Sequence, residues 1–557
     1  MFSYCSSLEE VNINNFISPK LLFMNNMFQD CSSLKEVDLD NINAPKLQIM
    51  SDMFQYSSLE GIYMTNINVP NLQTIRNMFY KNQLLNFIAI SNFNSTNLTD
   101  MSSMFYGCSR LDIIYITNLN TENVKDMNSL FYDCHSLKMI DLSSFNTKNV
   151  YNMSYMFYNC YSLTSLNISH FNIENVRYME VMFSRCSSLK YINMSNFNAK
   201  NLETMFDIFS RCYSLESIDL SNFIAPKLTN MKAMFYACSS LVSIDLSFFK
   251  AENVECMDLM FNNCDSLTSI NITNFKAENL ISMNYMFHYA YKLDFIDLSS
   301  FHVQKIKTIE GMFYNCNSLK SVNFNNFNFQ NVNNTSYMFY YCNSLTSIDL
   351  TNMDTKNVVN MNYMFYYCNS LKSIDFANIN TKSVIEMNYM FYSCSSLTSI
   401  DLSNHENQNL KSIDYMFTYC NSLKVINFNN FNTKKLESMD GFYKGCKSIE
   451  SINLSNFNTD NLRNITSLFE NCLSLTSIDI SNFNGRKIRR IDNIFYSCPN
   501  LTYIDISGLG MQSVTSSVTF YVFNNIIPSS GQIKIKKKLV DLINEQIPSN
   551  WTKIVIE

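Results

Sequence analysis

Residues 157–182 read FYNCYSLTSLNISHFNIENVRYMEVM, and the same 26-residue pattern recurs along nearly the whole chain. Aligned on its opening phenylalanine, the pattern occurs in 20 copies from Phe2 to Phe495, with Tyr443 as a substitute. The spacing is constant except for one 25-residue step between Phe54 and Phe79. A period of about 20 to 50 residues is typical of solenoids, propellers or arrays. The 557-residue chain is therefore predicted to form one elongated repeat domain rather than several globular domains.

Two hydrophobic periods alternate within each repeat. Around Leu166 and Ile168, apolar and polar residues alternate, which indicates a short strand with one buried face. From Val150 to Cys160 the apolar residues fall at offsets of 3, 6, 7 and 10, which predicts a helix of about three turns. The expected fold is an α/β solenoid of about 20 coils of 26 residues. Each coil would contain one short parallel strand and one short helix.

Composition excludes several classes of function. Only 9 Gly are present, and neither glycine-rich nucleotide-binding motif occurs. The net charge of −6 disfavours nucleic acid as a partner. No apolar run reaches the roughly 18 residues that a membrane span requires. The hydrophobic fraction of 46% is ample for a core, so disorder is not expected.

Cysteine is confined almost entirely to one column of the repeat. Seventeen of the 18 Cys lie three residues after the opening phenylalanine, and only Cys256 is out of register. A metal site would favour clustered pairs such as C-x-x-C, which are absent from the sequence. Ser57, Asn82 and Ala290 replace Cys singly, which argues against paired disulfides. We therefore expect a buried ladder of free thiols, represented by Cys134, Cys160 and Cys186.

Phenylalanine and methionine form further columns. Thirteen of the 20 copies have Phe at the bend after the strand, including Phe145, Phe171 and Phe197, which we interpret as a structural ladder in the core. His405 is an exception in this column and is expected to be partly exposed. Two columns of the predicted helix hold 28 of the 33 Met. The five His lie in different repeat positions without metal-ligand spacing, so the sequence indicates no catalytic, cofactor or metal site.

An acidic column is the candidate binding feature. It contains ten Asp and seven Asn between the two inward-facing strand residues, so its side chains should lie on the exposed face of the sheet. One interpretation is a solvated polar face that discourages aggregation. The other is a recognition strip for basic or divalent-cation-linked ligands, and its candidate members are Asp219, Asp245, Asp297, Asp349, Asp375 and Asp401.

The two ends of the chain differ from each other. Met1 and Phe2 are already in register with the repeat, and no signal peptide or polar capping unit precedes them. We therefore expect the solenoid, residues 1–510, to lack its N-terminal cap. Residues 511–557 leave the repeat and contain basic, apolar and Trp551-containing stretches, so they are expected to cap the last coil.

Residues 338–361 show the unit as Met-Phe-x-x-Cys-x-Ser-Leu-x-x-Ile-Asp-Leu, then Asp354-Thr-Lys-Asn-Val-x-x-Met, with Met353 in the bend-phenylalanine position. This unit resembles the 26-residue repeat of bacterial surface proteins, the BspA-like leucine-rich-repeat family. The tail, with Pro548-Ser-Asn-Trp-Thr-Lys-Ile, is similar to the segment that closes such arrays. The resemblance implies a leucine-rich-repeat-like solenoid, a cell-surface or secreted location, and adhesion to host or cell-surface proteins.

The sequence thus leads to two functional hypotheses. The first is a non-enzymatic surface protein, monomeric, that mediates protein binding or adhesion through its exposed sheet face. The alternative is an intracellular repeat scaffold, which a column of reduced thiols would also permit. Neither requires a cofactor, nucleic acid or a membrane span.

Overall fold

The computed structural model describes residues 2–351, 353–376, 379–403, 405–509, 521–523 and 530–557. These residues divide into two compact units, Met1–Leu280 and Ile281–Glu557. Both units are built from successive coils of a β-solenoid, with about 19 turns in all. Along the described part of the chain, no helix is both long and apolar enough to cross a bilayer.

The strands of the first unit are short and pair in parallel. In β6 and β7, Ile192 lies opposite Ile218 and Asn193 opposite Asp219, one repeat later in the chain. The sheets are β1-β2-β3-β4-β5, β6-β7 and β8-β9. The bounds are β1 (Glu10–Asn12), β2 (Glu36–Asp38), β3 (Gly61–Thr65), β4 (Phe87–Phe93), β5 (Ile113–Leu119), β6 (Tyr191–Asn193), β7 (Ser217–Asp219), β8 (Ser243–Asp245) and β9 (Ser269–Asn271).

The second unit continues the same pattern and ends in a strand–helix–strand element. Its sheets are β10-β11, β12-β13 and β14-β15-β16-β17, all with parallel pairing. Trp551, at the start of β17, is only 5% exposed. The bounds are β10 (Phe295–Asp297), β11 (Ser321–Asn323), β12 (Ser399–Asp401), β13 (Val425–Asn427), β14 (Ser477–Asp479), β15 (Tyr503–Asp505), β16 (Gly531–Lys536), α1 (Lys537–Ile543) and β17 (Trp551–Ile556), with 3₁₀ turns at Gly485–Lys487 and Asn544–Gln546.

The prediction of one helix per coil is wrong. Within residues 150–160, residues 154–159 form consecutive turns, in which Tyr155 and Asn159 have φ values of 59° and 60°. A left-handed residue cannot continue a right-handed α-helix. The N–H of Phe157 donates instead to the carbonyl of Met182 in the next coil, at 2.9 Å. The fold is therefore a β-solenoid, and α1 is the single α-helix among the described residues.

The turns produce the same spacing of apolar residues in the sequence as an amphipathic helix, because they bury residues at the same intervals. The N–H of Met156 donates to the carbonyl of Met153, and that of Cys160 to the carbonyl of Phe157, so each turn closes over three residues. Met153, Met156, Phe157 and Cys160 are all fully buried. Inward positions therefore recur at spacings of three and four, which is also the spacing of one helix face.

Stacked aromatic rings run through the core of each unit. In the first unit, the opening phenylalanines from Phe2 to Phe261 have ring centroids 5.3 to 5.7 Å from those of the next coil, in nearly parallel planes. Each ring is covered on both faces by its neighbours, and a single coil could not provide this. Burial is thus shared between coils, as expected of a repeat array.

Candidate binding faces of the coils

The thiol ladder is a buried hydrogen-bonded column. Cys134, Cys160 and Cys186 are fully buried and unpaired by disulfides. Each Sγ lies 3.1 or 3.2 Å from the carbonyl oxygen of the phenylalanine that opens the preceding coil. Where Cys is replaced, Ser57 and Asn82 donate to the equivalent carbonyls at 2.6 and 2.5 Å. The column therefore favours a small side chain that can donate a hydrogen bond, which a purely apolar interpretation did not include.

Burial also makes these thiols chemically inert. Desolvation raises the pKa of Cys186 to about 12 and also raises the pKa values of Cys134 and Cys160 well above the ordinary thiol value. The thiolate is the nucleophilic form, so these cysteines remain protonated and unreactive at neutral pH.

The bend column lies in the core, including the position of His405. Phe145, Phe171 and Phe197 are 4 to 5% exposed. His405 is 3% exposed, so the expectation that it is partly exposed is wrong. Its ring packs edge-on against Phe376 with centroids 5.6 Å apart, and its Nε2 has no hydrogen-bond partner among the described residues. The column thus accommodates a histidine ring in the core.

The six candidate aspartates, here called the acidic strip, lie in a column whose side chains stabilise the turn that follows the strand position. In Asp219, Asp245 and Asp297, one carboxylate oxygen accepts the backbone N–H of the residue two positions later, at 2.8 or 2.9 Å. Asp349 and Asp401 do the same towards Thr351 and Ser403. Asparagine serves equally, since Asn193 and Asn271 accept from the corresponding N–H groups. This Asx turn explains why the column consists of Asp and Asn.

Parallel register places an asparagine beside four of these acids, although Asp219 and Asp245 occupy successive coils, as do Asp349, Asp375 and Asp401. Asp219 lies opposite Asn193, Asp245 opposite Asn271, Asp297 opposite Asn323 and Asp401 opposite Asn427. Of the six candidates, Asp219 is half-buried, and Asp245, Asp297, Asp349, Asp375 and Asp401 are exposed.

Hydrogen bonding lowers the pKa of Asp349 and of Asp401, two of the exposed acids. The backbone N–H of Thr351 is the main cause of the lowered pKa of Asp349. The hydroxyl of Ser403, followed by its backbone N–H, lowers the pKa of Asp401. One oxygen of each of these two carboxylates is therefore committed to its turn.

Rows of stacked tyrosines form a second face that the sequence reasoning missed. In the second unit, one row runs through Tyr337, Tyr363, Tyr389 and Tyr415 with ring centroids 4.7 to 4.9 Å apart. A parallel row contains Tyr314, Tyr340, Tyr366 and Tyr392 at 4.2 to 4.7 Å, and Tyr341 stacks on Tyr367 at 4.6 Å. All of these tyrosines are half-buried. The signal was the recurrence of Tyr two residues before, and one and two residues after, the opening phenylalanine.

The described residues contain no group of three His, Cys, Asp or Glu side chains arranged to hold a metal ion. The geometry is that of extended surfaces rather than of a reaction centre.

Several solved structures have similar folds. A leucine-rich repeat protein from Bacteroides ovatus is 19% identical with a TM-score of 0.36, over 77% of this chain and 86% of its own. A leucine rich cell surface protein from Faecalibacterium prausnitzii is 18% identical with a TM-score of 0.28, over 64% and 76%. The functional domain of InlJ from Listeria monocytogenes, which includes a cysteine ladder, is 14% identical with a TM-score of 0.18, over 77% and 70%. No curated protein matches the chain by sequence.

A family model described as "Mycoplasma protein of unknown function, DUF285" matches seven overlapping segments. They are residues 1–87, 73–192, 164–268, 229–348, 319–426, 342–451 and 416–527. These matches follow the 26-residue repeat through almost the entire chain. The chain belongs to the DUF285 family, and its repeat is of the BspA-like leucine-rich-repeat type.

Proposed function

We propose that the protein is a non-enzymatic binding scaffold that holds a protein partner against its tyrosine rows. The observation that carries this proposal is the tyrosine surface of the second unit, defined by residues 337, 340, 341, 363, 366, 367, 389 and 392. Tyrosine is enriched in the energetically dominant parts of protein interfaces.

Stacking gives this surface its amphipathic character. Because the rings lie face to face, ring edges and hydroxyl groups are what remain available to solvent. Burial raises the pKa of Tyr389 and Tyr392 to about 12, with a smaller contribution from neighbouring tyrosines, so their hydroxyls can donate hydrogen bonds at neutral pH. Each ring is already restrained by its neighbours, so ordering it on binding costs little conformational entropy.

The acidic strip is proposed as a second contact face for a basic partner. Its support is the exposure of five of the six candidate carboxylates, among which Asp349, Asp375 and Asp401 follow one another in the repeat.

The test separates these two faces. The immobilised chain is used to isolate a protein from a surface-protein extract, and the affinity of that protein is then measured with purified variants. We expect Tyr366→Ser combined with Tyr392→Ser to weaken binding at least tenfold. Serine is tolerated there because Ser184 and Ser210 occupy the same column elsewhere.

The matched control changes Tyr106 and Tyr132, a stacked pair of the same column in the first unit, to Ser. This control should leave affinity unchanged. Binding that survives the change at 366 and 392 but is lost when Asp349, Asp375 and Asp401 become Asn would transfer the role to the acidic strip. Binding that is indifferent to both sets would contradict the proposal.

A cell-surface or secreted location is part of the proposal and is supported by the resemblance to BspA-like proteins. The intracellular scaffold is its alternative. Protease treatment of intact source cells distinguishes them, because a surface protein is degraded while a cytoplasmic marker is spared.

We also propose that residues 511–557 cap a monomeric solenoid formed by residues 1–510. Its support is the parallel pairing of β15 with β16 and β16 with β17, and the ion pair of Lys534 with buried Asp505 at 3.0 Å. Residues 510–520 and 524–529 lie outside the described residues. A chain ending at residue 510 should self-associate through its uncovered strand edge, whereas the full chain should elute as a monomer.

A further inference from the structure

A hollow of about 570 Å³ opens in the first unit where a tyrosine row is interrupted. The row includes Tyr132 and Tyr158, whose ring centroids are 4.6 Å apart. The next two coils place Ser184 and Ser210 in that column, and tyrosine returns at Tyr236. Both serines are buried at the bottom of the gap. The hollow therefore has aromatic ends and a polar floor.

A neighbouring column widens the same gap. Tyr155 is followed at one-repeat intervals by Val181, Asp207 and Ala233, all smaller than tyrosine. Val181 has a φ of 62°, a left-handed conformation that is unfavourable for a β-branched residue. The left-handed conformation recurs at this turn position in the other coils, so it belongs to the repeat. The side chains missing from these positions leave room for a ligand ring.

Positive charge surrounds the hollow. Arg185, Arg211 and Lys232 line it, and among the described residues none of them forms a salt bridge. The guanidinium carbon of Arg185 lies 5.6 Å from the ring centroid of Tyr158, and that of Arg211 lies 5.9 Å from that of Tyr236. Arginine occurs in this column of the repeat only at these two positions. The two guanidinium groups are thus available to a ligand anion.

A single acid sits among these cations. Asp207 is half-buried, and its Oδ2 accepts a hydrogen bond from the Ser184 hydroxyl at 3.2 Å. Burial raises the pKa of Asp207, although hydrogen bonds from Ser210 and Ser184 and the nearby arginines oppose the shift. A carboxylate in this position accepts hydrogen bonds from ligand hydroxyl groups and opposes simple anions.

We propose that this hollow binds a carboxylated pyranose unit of an acidic oligosaccharide, a role beyond the protein-binding function proposed above. The ligand carboxylate pairs with Arg185 and Arg211, for which bidentate geometry is favourable. The sugar hydroxyls donate to Asp207, and the apolar face of the ring packs beside Tyr155, where Val181 takes the place of the next tyrosine in that column. A bare phosphate or sulfate ion would satisfy the arginines alone and would leave the acid and the aromatic walls unused.

The experiment uses the full chain and a galacturonic acid tetramer, with binding measured by calorimetry. The matched probe is the uncharged galactose tetramer, and inorganic sulfate is the ionic control. We expect the acidic tetramer to bind at least tenfold more tightly than either control. Arg185→Gln combined with Arg211→Gln should reduce that affinity at least tenfold. Arg177→Gln should not reduce it, because Arg177 lies outside the hollow and is paired with Glu203.

A second variant fills the space without removing charge. Ala233→Tyr restores the residue found in the same column at Tyr155 and Tyr285, so the fold should tolerate it, and it should abolish binding. Ser103→Tyr, in the same column away from the hollow, is the control. The proposal is overturned if the folded chain does not bind the acidic tetramer, if sulfate or the neutral tetramer binds as tightly, or if affinity survives in the arginine and Ala233 variants.

Discussion

At the scale of single residues, each column of the repeat is selected by a contact with the next coil. The Cys column donates to a phenylalanine carbonyl, and this explains why Ser57 and Asn82 replace Cys without disturbing the ladder. The column was recognised in the sequence because it recurs. The hydrogen bond was not recognised, because its acceptor is a backbone carbonyl of another coil, and every residue type has such a carbonyl.

The burial of the column predicts how the thiols react. In the native protein only the half-buried Cys5 and Cys256 should react promptly with a water-soluble thiol reagent, and the other 16 of the 18 Cys should react after denaturation. The raised pKa of the buried thiols reinforces this protection. A spectrophotometric thiol titration with and without guanidinium measures both numbers. Prompt native labelling of many thiols, or unreactive thiols in the denatured chain, would contradict this arrangement.

His405 predicts a local sensitivity to acid. Burial lowers its pKa from the ordinary value of 6.5, so the unfolded chain binds a proton more readily than the folded chain. Stability should therefore fall as the pH drops below 6.5, by up to about 1.4 kcal/mol at pH 5.5. His405→Phe should remove this contribution and be more stable at both pH values, because its buried orphan nitrogen disappears.

The measurement compares urea unfolding of the two proteins at pH 7.5 and pH 5.5. The difference in unfolding free energy between variant and wild type should grow on acidification. An equal difference at both pH values would show that His405 titrates in the same way in both states.

At the scale of elements, strands were predictable and turns were not. The alternation around residues such as Ile192 in β6 (Tyr191–Asn193) is a local property, and it correctly predicted parallel strands in most coils. In five coils the described residues form no strand at this position, namely around Asp141, Asn167, Asp349, Asp375 and Asn453. The turns depend on left-handed residues such as Tyr155 and Val181, types that rarely adopt this conformation. Inter-coil hydrogen bonds enforce that conformation, so a single repeat read alone looked helical.

The Asx turn gives the acidic strip its testable structural role. Asp349→Ala should lower the unfolding free energy by about 1 kcal/mol, because the N–H of Thr351 loses its acceptor. Asp349→Asn should be nearly neutral at pH 7, since asparagine fills this role in seven coils. Urea unfolding at pH 7 compares the two variants with the wild type. Equal losses in both would mean that the charge, rather than the turn, stabilises this position.

The pH dependence of stability provides a second test of the turn at Asp349. The lowered pKa of Asp349 means that its contribution is present at neutral pH and lost as the pH falls through its folded-state pKa. The Asn variant should lack this particular loss, and the Ala variant should lack it as well.

At the scale of the whole molecule, one coil is the structural unit that can be added to or deleted from the array. Deleting residues 132–157 joins Phe131 to Tyr158 and restores the repeat register. This chain should still unfold cooperatively with a small loss of stability, because only one coil and one interface disappear. Deleting residues 132–144 instead places inward positions opposite turns and should abolish folding. Circular dichroism and urea titration of both chains provide the comparison.

The binding features belong to this scale as well, which explains why sequence reasoning found only one of them. The acidic strip was visible because the Asp and Asn of its column recur in 17 of the 20 coils. The tyrosines recur two residues before, and one and two residues after, the opening phenylalanine in only some of the coils, and these columns were not recognised. The hollow beside Arg185 and Arg211 forms because consecutive coils lack the large tyrosine side chains of their neighbours. Such a gap is recognised only when several coils are compared.

The interrupted tyrosine row also bears on how such a protein could diversify. A filled column gives a flat surface, and replacing two or three large side chains by small ones creates a concave site without altering the backbone. Ser184, Val181 and Ala233 are substitutions of this kind, made in positions that the neighbouring coils hold in place. New specificities in this family would then arise by removing bulk from a continuous surface, and the coils on either side would preserve the fold while the site evolves.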